Sequence, residues 1–371
     1  MPASLDVRDL RKQFGTGRPA VDGVSFHVPT GEIVVLLGPS GCGKTTTLRC
    51  VAGLEHSTAG RISIGGRLVS SPADGVQVPA RLRNIGMVFQ SYAVWPHMTV
   101  KPERGLSAAP PSRPARRDRA QDRRACWRWS GCRSSPSARW CRSQAGRCSA
   151  WRWRAASSMS RSCSCSTSRS AISTRKLRLR LRDDLRRIIK QAGVTAVYVT
   201  HDQAEAVVLG DRIGVMRDGK LLQMASPDEI YNRPADLFVA NFTGASSLLA
   251  GRVLERNGEF GIVEAGGHRL TALMAANVKA GEAVKIAVRP ENVRLDGTGR
   301  RRSPTIASPR ASPASAIKAR RPSTSSRCSG GRLEALELGT SMRHAVGSDV
   351  EVVLPPTMCW AYPAREDARS E

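Results

Sequence analysis

The 371-residue chain lacks the features that would place it in a membrane or outside the cell. It contains no apolar run of about eighteen residues, the length that a membrane-spanning helix needs. Its first residues, MPASLDVRDLRKQF, lack the apolar core of a secretory signal. We therefore expect a cytosolic protein with room for two domains, whose ten cysteines stay free thiols because the cytosol keeps thiols reduced.

Acidic residues are scarce, at 31 against 58 Lys and Arg, and the resulting net charge of +27 is typical of proteins that bind nucleic acid or anionic membranes. The excess is concentrated in two tracts. Residues 104–175 hold seventeen Arg, no Lys and two acids, and residues 297–333 hold eight Arg, one Lys and no acid. These tracts contribute +15 and +9, which leaves only +3 for the rest. The charge of most of the chain is therefore ordinary.

The tract 104–175 also lacks the residues from which buried strands are built. It has no Val, Phe, Tyr or His, one Leu and one Ile, but seventeen Ser, six Cys and five Trp. Because strands of a parallel sheet need branched aliphatic side chains on both faces, we predict that the tract is disordered and supplies no buried strand. Two alternatives stay open: the WRWR run as a nucleic-acid-binding arm, and Cys163 with Cys165 as metal ligands, although a lone CxC is a weak zinc signal.

Outside that tract the chain alternates strand-like and helix-like segments. SLDVRDL, VSFHVP and EIVVLLG predict strands, and EIVVLLG is continuous enough to be buried on both faces of a parallel sheet. KLRLRLRDDLRRIIKQAG places Leu177, Leu181, Leu185 and Ile188 at helical spacing and ends at Gly193. VTAVYVTH predicts another buried strand and DQAEAVVLG a short helix, and from about residue 245 short strands broken by Gly and Pro predict a small β domain.

A phosphate-binding loop follows the EIVVLLG strand and precedes the helix TTTLRCVAGL. It matches the GxxxxGK[ST] pattern with Gly38, Pro39, Ser40, Gly41, Cys42, Gly43, Lys44 and Thr45, and Thr46 follows. The glycines let backbone N–H groups surround the β-phosphate at the helix N-terminus. Lys44 is placed to reach the β- and γ-phosphates, and the Thr45 hydroxyl to ligate Mg²⁺. Cys42 is interpreted as a small loop residue, since no His lies near it in sequence to activate a nucleophile.

The chain resembles the ATPase subunits of ABC importers, in the subgroup with a C-terminal regulatory domain that serves carbohydrate, polyamine or iron uptake. The matching segments are GEIVVLLGPSGCGKTTTLRCVAGLE, IGMVFQSYAVWPHMTV and VYVTHDQAEAVVLGDRIGVMRDGKLLQMASPDEIYNRPADLFVANFTG, with VRPENVRL further on. They cover most of 1–100 and 176–247. The resemblance implies an α/β P-loop domain with a parallel sheet plus antiparallel β and helical parts over 1–243, and a small β-barrel-like (OB/TOBE-type) domain over 244–371.

The resemblance also implies roles for three residues outside the loop. Gln90 matches the glutamine that joins the Mg²⁺ and attacking-water site and relays the nucleotide state to the membrane subunit. His201 matches the switch histidine that contacts the γ-phosphate, and Phe14 is similar to the aromatic residue on which adenine stacks. The implied cofactors are ATP and Mg²⁺. The implied partners are a second copy in a head-to-tail dimer, transmembrane permease subunits and, indirectly, an extracytoplasmic solute-binding protein, with no nucleic acid and a location on the inner face of the cell membrane.

Two motifs that the resemblance implies are missing. One is LSGGQ, which contacts the γ-phosphate bound by the partner subunit; the other is LLLLDEP, whose Asp holds Mg²⁺ through water and whose Glu polarises the attacking water. In their place stands RSQAGRCSAWRWRAASSMSRSCSCSTSRSAIST. GC-rich codons for residues 162–174, read two nucleotides later, give LLLLDEPLSNLD, and residues 142–154 permit LSGGQ and QRVALAR in the same frame. We therefore interpret 104–175 as the right gene in the wrong frame, with the frame restored at Lys176 and a second shift over about 299–332.

Two hypotheses follow for function. Either the protein is an active importer ATPase whose written sequence contains frame errors, or the written chain is real and binds nucleotide without hydrolysing it. A third class, a basic nucleic-acid-binding protein, predicts salt-dependent DNA binding that depends on 104–175. The transported solute is not encoded in the recognised motifs.

Overall fold

The computed structural model describes residues 2–88, 163–167, 175–245, 247–297, 315–320, 325–328, 331–336 and 349–364. Packing divides the chain into two compact units, Met1–Asp228 and Glu229–Glu371. None of the helices in these ranges has both the length and the apolar character of a membrane span.

The first unit combines an antiparallel sheet with a mainly parallel one. Its described strands are β1 (Leu5–Lys12), β2 (Val21–Val28), β3 (Ile33–Leu37), β4 (Ala59–Ile64), β5 (Arg67–Ser71), β6 (Val76–Gln77), β7 (Ile85–Val88), β8 (Cys163–Thr167), β9 (Thr195–Thr200), β10 (Arg212–Arg217) and β11 (Lys220–Ala225). Its described helices are α1 (Lys44–Ala52), α2 (Arg175–Ala192) and α3 (Gln203–Leu209). One sheet has the order β2-β1-β4-β5-β6 and the other β11-β10-β3-β9-β8-β7.

The six-stranded sheet confirms the predicted P-loop architecture. Every residue of β3 (IVVLL) and β9 (TAVYVT) is buried, as expected for strands covered on both faces. Strands β10, β3, β9, β8 and β7 run parallel, and β11 closes one edge as the antiparallel partner of β10. The carboxyl ends of the parallel strands therefore share one edge of the sheet.

The prediction that 104–175 contributes no strand is wrong for residues 163–167. They form β8, which pairs in parallel with β7 on one side and β9 on the other. The physical reason is that a strand ladder joins backbone N–H and C=O groups, which Cys, Ser and Thr carry as any aliphatic residue does, so these residues can pair with β7 and β9. The prediction of disorder for the rest of the tract lies outside the described residues.

Helix α2 is held to the sheet by charge at its C-terminal half. Asp211, just before β10, accepts hydrogen bonds from Arg186 at 2.9 Å, Lys190 at 2.5 Å and the backbone N–H of Ile33 at 2.8 Å. Burial alone would raise the pKa of Asp211, but the hydrogen bond from Lys190, that from Ile33 and the two positive charges lower it. The carboxylate thus joins α2, β3 and β10. The predicted helix is confirmed; it ends at Ala192 and is followed by Gly193, where φ is +62°.

The second unit contains a closed barrel and a second sheet. Its described strands are β12 (Ser247–Asn257), β13 (Phe260–Ala265), β14 (His268–Met274), β15 (Ala283–Val288), β16 (Arg294–Gly297), β17 (Ser315–Arg320), β18 (Ser325–Cys328), β19 (Gly331–Glu334), β20 (Asp349–Leu354) and β21 (Cys359–Pro363). The barrel has the order β12-β13-β14-β21-β15, and the second sheet β16-β20-β17-β18-β19. The predicted barrel-like domain is confirmed, and β17 and β18 lie inside the second basic tract.

Two short helices, α4 (Pro227–Asn232) and α5 (Leu237–Phe242), precede the barrel. Leu237 and Ala240 pack with Ala287, Trp360 and Tyr362 in one buried cluster. Packing therefore groups the residues after 228 with the barrel, whereas the domain boundary at 243/244 stays a prediction.

A buried arginine fixes these helices to the barrel. Arg289 is fully buried; its guanidinium donates to the carbonyl oxygens of Thr243 and Tyr231, the latter at 2.9 Å, and stands 3.7 Å from the centre of the Tyr231 ring. Burial lowers the pKa of Arg289. Because a buried cation is costly without partners, these carbonyl groups are necessary to the stability of this unit.

Candidate nucleotide-binding site

The loop from Gly38 to Gly43 joins the end of β3 to the start of α1, as the sequence predicts. Gly43 caps the helix with φ at +100°, a left-handed conformation that glycine adopts without steric cost. A Cβ on Gly43 would lie 2.3 Å from the carbonyl oxygen of Ala20, and a Cβ on Gly38 would lie 2.3 Å from that of Met216. Close backbone packing therefore requires glycine at both positions, and the left-handed backbone also requires it at Gly43.

Lys44 lies across the inside of this loop. Its ammonium donates to the carbonyl oxygens of Gly38 at 2.8 Å and Pro39 at 2.7 Å, and lies 3.3 Å from Sγ of Cys42. The side chain is buried, so the positive charge is directed into the loop and away from solvent. The loop thereby gathers a cation and a helix N-terminus at one point, the combination that binds phosphate.

The remaining loop residues differ in exposure. Ser40, Gly41 and Thr45 are exposed, Pro39 and Thr46 are half-buried, and Cys42 is buried. The exposed Thr45 lies in the first turn of α1, where its hydroxyl is accessible to a bound ligand. Cys42 and Cys50 are free thiols, as the sequence predicts for the chain. Burial raises the pKa of Cys50 to about 11, so this residue is not a reactive thiolate.

Two backbone contacts that sequence reasoning missed support the loop from the side. The N–H of Gly219, in the turn between β10 and β11, donates to the carbonyl oxygen of Cys42 at 3.1 Å. The carbonyl oxygen of Gly219 accepts from the N–H of Asp22 at 2.8 Å. Gly219 has φ at +79°, and the sequence signal for its turn was the Asp218-Gly219 pair between two strand-like runs.

His201 lies at the same edge of the sheet as the loop. The parallel register pairs Leu37 with Thr200, so the next residues along the two strands are Gly38 and His201. The His201 side chain is exposed. The structure therefore brings the predicted switch histidine and the loop together at the carboxyl edge of the sheet.

The backbone around His201 is fixed by polar groups that the motif comparison did not identify. Thr200 Oγ1 accepts from the N–H of Asp202 at 3.0 Å and donates to the buried Glu205 at 2.7 Å. Asp202 caps α3 by accepting from the N–H of Glu205 and forms an ion pair with Arg182 at 2.6 Å. The residues on both sides of His201 are therefore held in place, which limits where its ring can move.

Phe14 lies in the turn after β1, and its side chain is 53% exposed. Lys12 Nζ stands over the ring at 4.5 Å from its centre, a contact that sequence reasoning missed although Lys12 is only two residues away. Gln90 lies outside the described residues, two positions beyond the end of β7.

In comparisons with known proteins, the family described as ABC transporter matches residues 21–161. The Fe(3+) ions import ATP-binding protein FbpC of Rhizobium etli is 38% identical over 302 residues, covering 80% of this chain and 82% of that protein. The trehalose/maltose import ATP-binding protein MalK of Thermococcus litoralis is 39% identical over 243 residues, covering 66% of this chain and 65% of that protein.

Solved structures agree on the fold. A nucleotide-free ATP-binding cassette from an ABC transporter superimposes with a TM-score of 0.54 at 17% identity, covering 65% of this chain and 98% of that one. A dimeric bacterial ABC transporter cassette gives a TM-score of 0.51 at 22% identity, covering 60% and 98%. The loop geometry and the sequence identity to the import proteins lead to the same conclusion. The chain belongs to the family of ATP-binding subunits of ABC importers and is therefore an ABC-type ATPase.

Proposed function

We propose that residues 38–46 bind the triphosphate of ATP together with Mg²⁺ and that this binding drives solute import. The observation that carries the proposal is the closed loop between β3 and α1, in which Lys44 points inward and the backbone turns around it. Phosphoryl transfer to water depends mainly on positioning and on charge neutralisation, and a loop of this kind supplies both.

Each named residue has a distinct part in this proposal. The backbone N–H groups of the loop donate to the β-phosphate, and Lys44 exchanges its loop carbonyl partners for β- and γ-phosphate oxygens. His201 donates to the γ-phosphate from the end of β9, and the Phe14 ring stacks on adenine. Gln90 orients the attacking water.

The donor set fits Mg²⁺. Thr45 offers an exposed hydroxyl oxygen in the first turn of α1, and Mg²⁺ is commonly held by few protein oxygens, substrate phosphates and waters. In the part of the chain that the structure describes, no cluster of three or more His, Cys, Asp or Glu side chains forms a separate metal site. Thr45 and Gln90 would therefore hold the ion, which neutralises charge on the phosphates.

The names of the relatives describe import, which supports an importer role for this chain. We extend the proposal to its partners: transmembrane permease subunits, a second copy in a head-to-tail dimer and, indirectly, an extracytoplasmic solute-binding protein. The dimeric cassette among the solved structures supports the second copy. The chain would then lie in the cytoplasm on the inner face of the membrane, with a regulatory barrel domain after the ATPase domain and no nucleic acid bound.

We also propose that the written residues 104–175 replace in-frame catalytic motifs. β8 ends at Thr167, which pairs with Val199 in β9. β3 ends at Leu37, which pairs with the next residue of β9, Thr200, so the two strands end at nearly the same level. The missing Asp and Glu, which the shifted frame places around residues 166–168, would therefore lie at the same sheet edge as the phosphate loop. The competing function, nucleotide binding without hydrolysis, is favoured by the absence of both motifs from the written sequence.

Nucleotide binding is tested by titrating Mg-ATP into the purified chain and into Lys44→Ala. We expect saturable binding by the unsubstituted chain and none by Lys44→Ala. Lys279→Ala, an exposed lysine in the second unit, serves as the matched control and should bind normally. The absence of any affinity in the unsubstituted chain would refute the proposal.

The reading frame is tested on the DNA and on the protein. Resequencing codons 101–176, and peptide mass spectrometry of the natural protein, should reveal LLLLDEPLSNLD. The chain as written should bind ATP without hydrolysing it, whereas a frame-restored chain should hydrolyse it. Equal hydrolysis by the two chains would contradict the frame hypothesis.

A further inference from the structure

The ring of Phe14 is presented to solvent on a turn that is itself well fixed. The side chain of Gln13 donates to the carbonyl oxygen of Gly17 at 2.9 Å, which closes the turn, and the N–H of Gln13 donates to Thr58 Oγ1 at 3.1 Å. An aromatic side chain that is 53% exposed on such a turn offers a flat apolar surface to a ligand.

One face of that ring is covered by a lysine that is itself restrained. The ammonium of Lys12 lies 4.5 Å from the ring centre, and the lysine side chain is only 13% exposed. Glu55 Oε2 lies 3.5 Å from the same ammonium. Glu55 thus holds the ammonium of Lys12 against one face of the Phe14 ring. This contact restricts the rotamers of Phe14 and leaves the other face of the ring for stacking.

The turn is close to the phosphate loop along the chain and in space. The segment that continues from Phe14 reaches Pro19 and Ala20. A Cβ on Gly43 would lie 2.3 Å from the carbonyl oxygen of Ala20, and a Cβ on Gly219 would lie 3.1 Å from that of Pro19, so this segment runs directly beside the phosphate loop. An adenine on Phe14 and a triphosphate in the loop can therefore belong to one nucleotide.

We propose that Lys12, anchored by Glu55, is a positioning residue that braces Phe14 for the adenine base and acts on base recognition, not on the triphosphate. This inference rests on the nucleotide-binding function proposed above. It differs from a direct role for Lys12 as a phosphate ligand, because the ammonium is already engaged by the Glu55 carboxylate and the Phe14 ring.

Two probes separate these roles: Mg-ATP, which has a base, and magnesium tripolyphosphate, which has none. Lys12→Ala should weaken ATP binding by about two- to fivefold, the range of an exposed cation–π contact, and leave tripolyphosphate binding within about twofold. Lys12→Arg should retain ATP affinity, since a guanidinium also stacks on a ring. Arg8→Ala removes an exposed cation from the same strand and is the matched control, with neither probe affected.

A double-mutant cycle provides the second readout. Phe14→Ala should weaken ATP binding about five- to a hundredfold through loss of stacking, and Lys12→Ala added to it should cause no further loss. Thermal unfolding of each variant checks that it is folded, and Lys12→Met, which keeps the aliphatic stem, replaces Lys12→Ala if the latter does not fold.

The results that overturn the proposal are distinct from those that overturn nucleotide binding. Equal weakening of ATP and tripolyphosphate by Lys12→Ala, additive effects in the cycle, or unchanged ATP affinity would each refute the brace while leaving the phosphate loop intact. If the unsubstituted chain binds Mg-ATP and magnesium tripolyphosphate no better than Lys44→Ala does, the proposed nucleotide binding is refuted, and the role of Lys12 is refuted with it.

Discussion

Alanine at Gly43 should destabilise the first unit far more than alanine at Gly41, although both glycines have a left-handed backbone. Their φ angles are +100° and +85°, and an L side chain in this region costs roughly 1–2 kcal/mol. A Cβ on Gly41 meets nothing within 4 Å, whereas a Cβ on Gly43 lies 2.3 Å from the carbonyl oxygen of Ala20. Relieving that contact requires a backbone shift, and such overpacking costs about 1–3 kcal/mol more.

The expected loss is therefore about 1 kcal/mol for Gly41→Ala and about 3 kcal/mol for Gly43→Ala. For a unit of this size one kcal/mol corresponds to about 2–4 °C in the unfolding midpoint, so the two midpoints should fall by roughly 2–4 °C and 6–12 °C. Calorimetry of the full chain measures both. Equal shifts for the two variants would show that the Ala20 contact does not constrain the loop, and the steric reasoning would be wrong.

Three further predictions concern charge, the barrel and the sheet core. The pKa of Asp211 is lowered despite burial, mainly by the hydrogen bond from Lys190, so the ionised carboxylate stabilises the fold. This stabilisation is complete above the unfolded pKa of 3.8 and is lost as pH falls through the folded pKa. Asp211→Asn should therefore flatten the acid side of the plot of unfolding midpoint against pH, and an unchanged plot would contradict this. Arg289→Met removes the buried donor to the carbonyl oxygens of Thr243 and Tyr231. Chemical denaturation should show a loss of about 2–4 kcal/mol in the stability of the second unit, and a loss below about 0.5 kcal/mol would contradict a stabilising role for Arg289. Leu36→Ala removes a fully buried side chain from β3 and should cost about 2–5 kcal/mol, whereas the exposed Leu54→Ala should change the midpoint little.

Much of the first unit followed from the sequence because its strands are buried on both faces. EIVVLLG and VTAVYVTH have no polar alternation, and glycines mark the loop between a strand and a helix. β3, β9, α1 and the position of the loop between β3 and α1 were therefore predicted correctly. Gly38 and His201 each follow a buried strand, and the carboxyl ends of parallel strands lie at the same edge of a sheet. That rule alone is enough to place these two residues near each other.

The remaining features depend on contacts that no local pattern encodes. β8 is composed of Cys, Ser and Thr, and its place in the sheet depends on backbone pairing with β7 and β9, which are distant from it along the chain. Arg289 and its carbonyl partners are 46 and 58 residues apart along the chain, and the Lys12–Phe14 stack depends on side-chain rotamers. Propensity describes single segments and cannot register such long-range pairs.

The position of β21 in the barrel has a consequence for biosynthesis. This strand, residues 359–363, inserts between β14 and β15, which end at residues 274 and 288, so neither edge is covered until translation has passed residue 363. A ribosome that changes frame upstream and does not return would release a product with two bare sheet edges, which favour self-association. The barrel therefore closes only when residues 359–363 are translated in the correct frame.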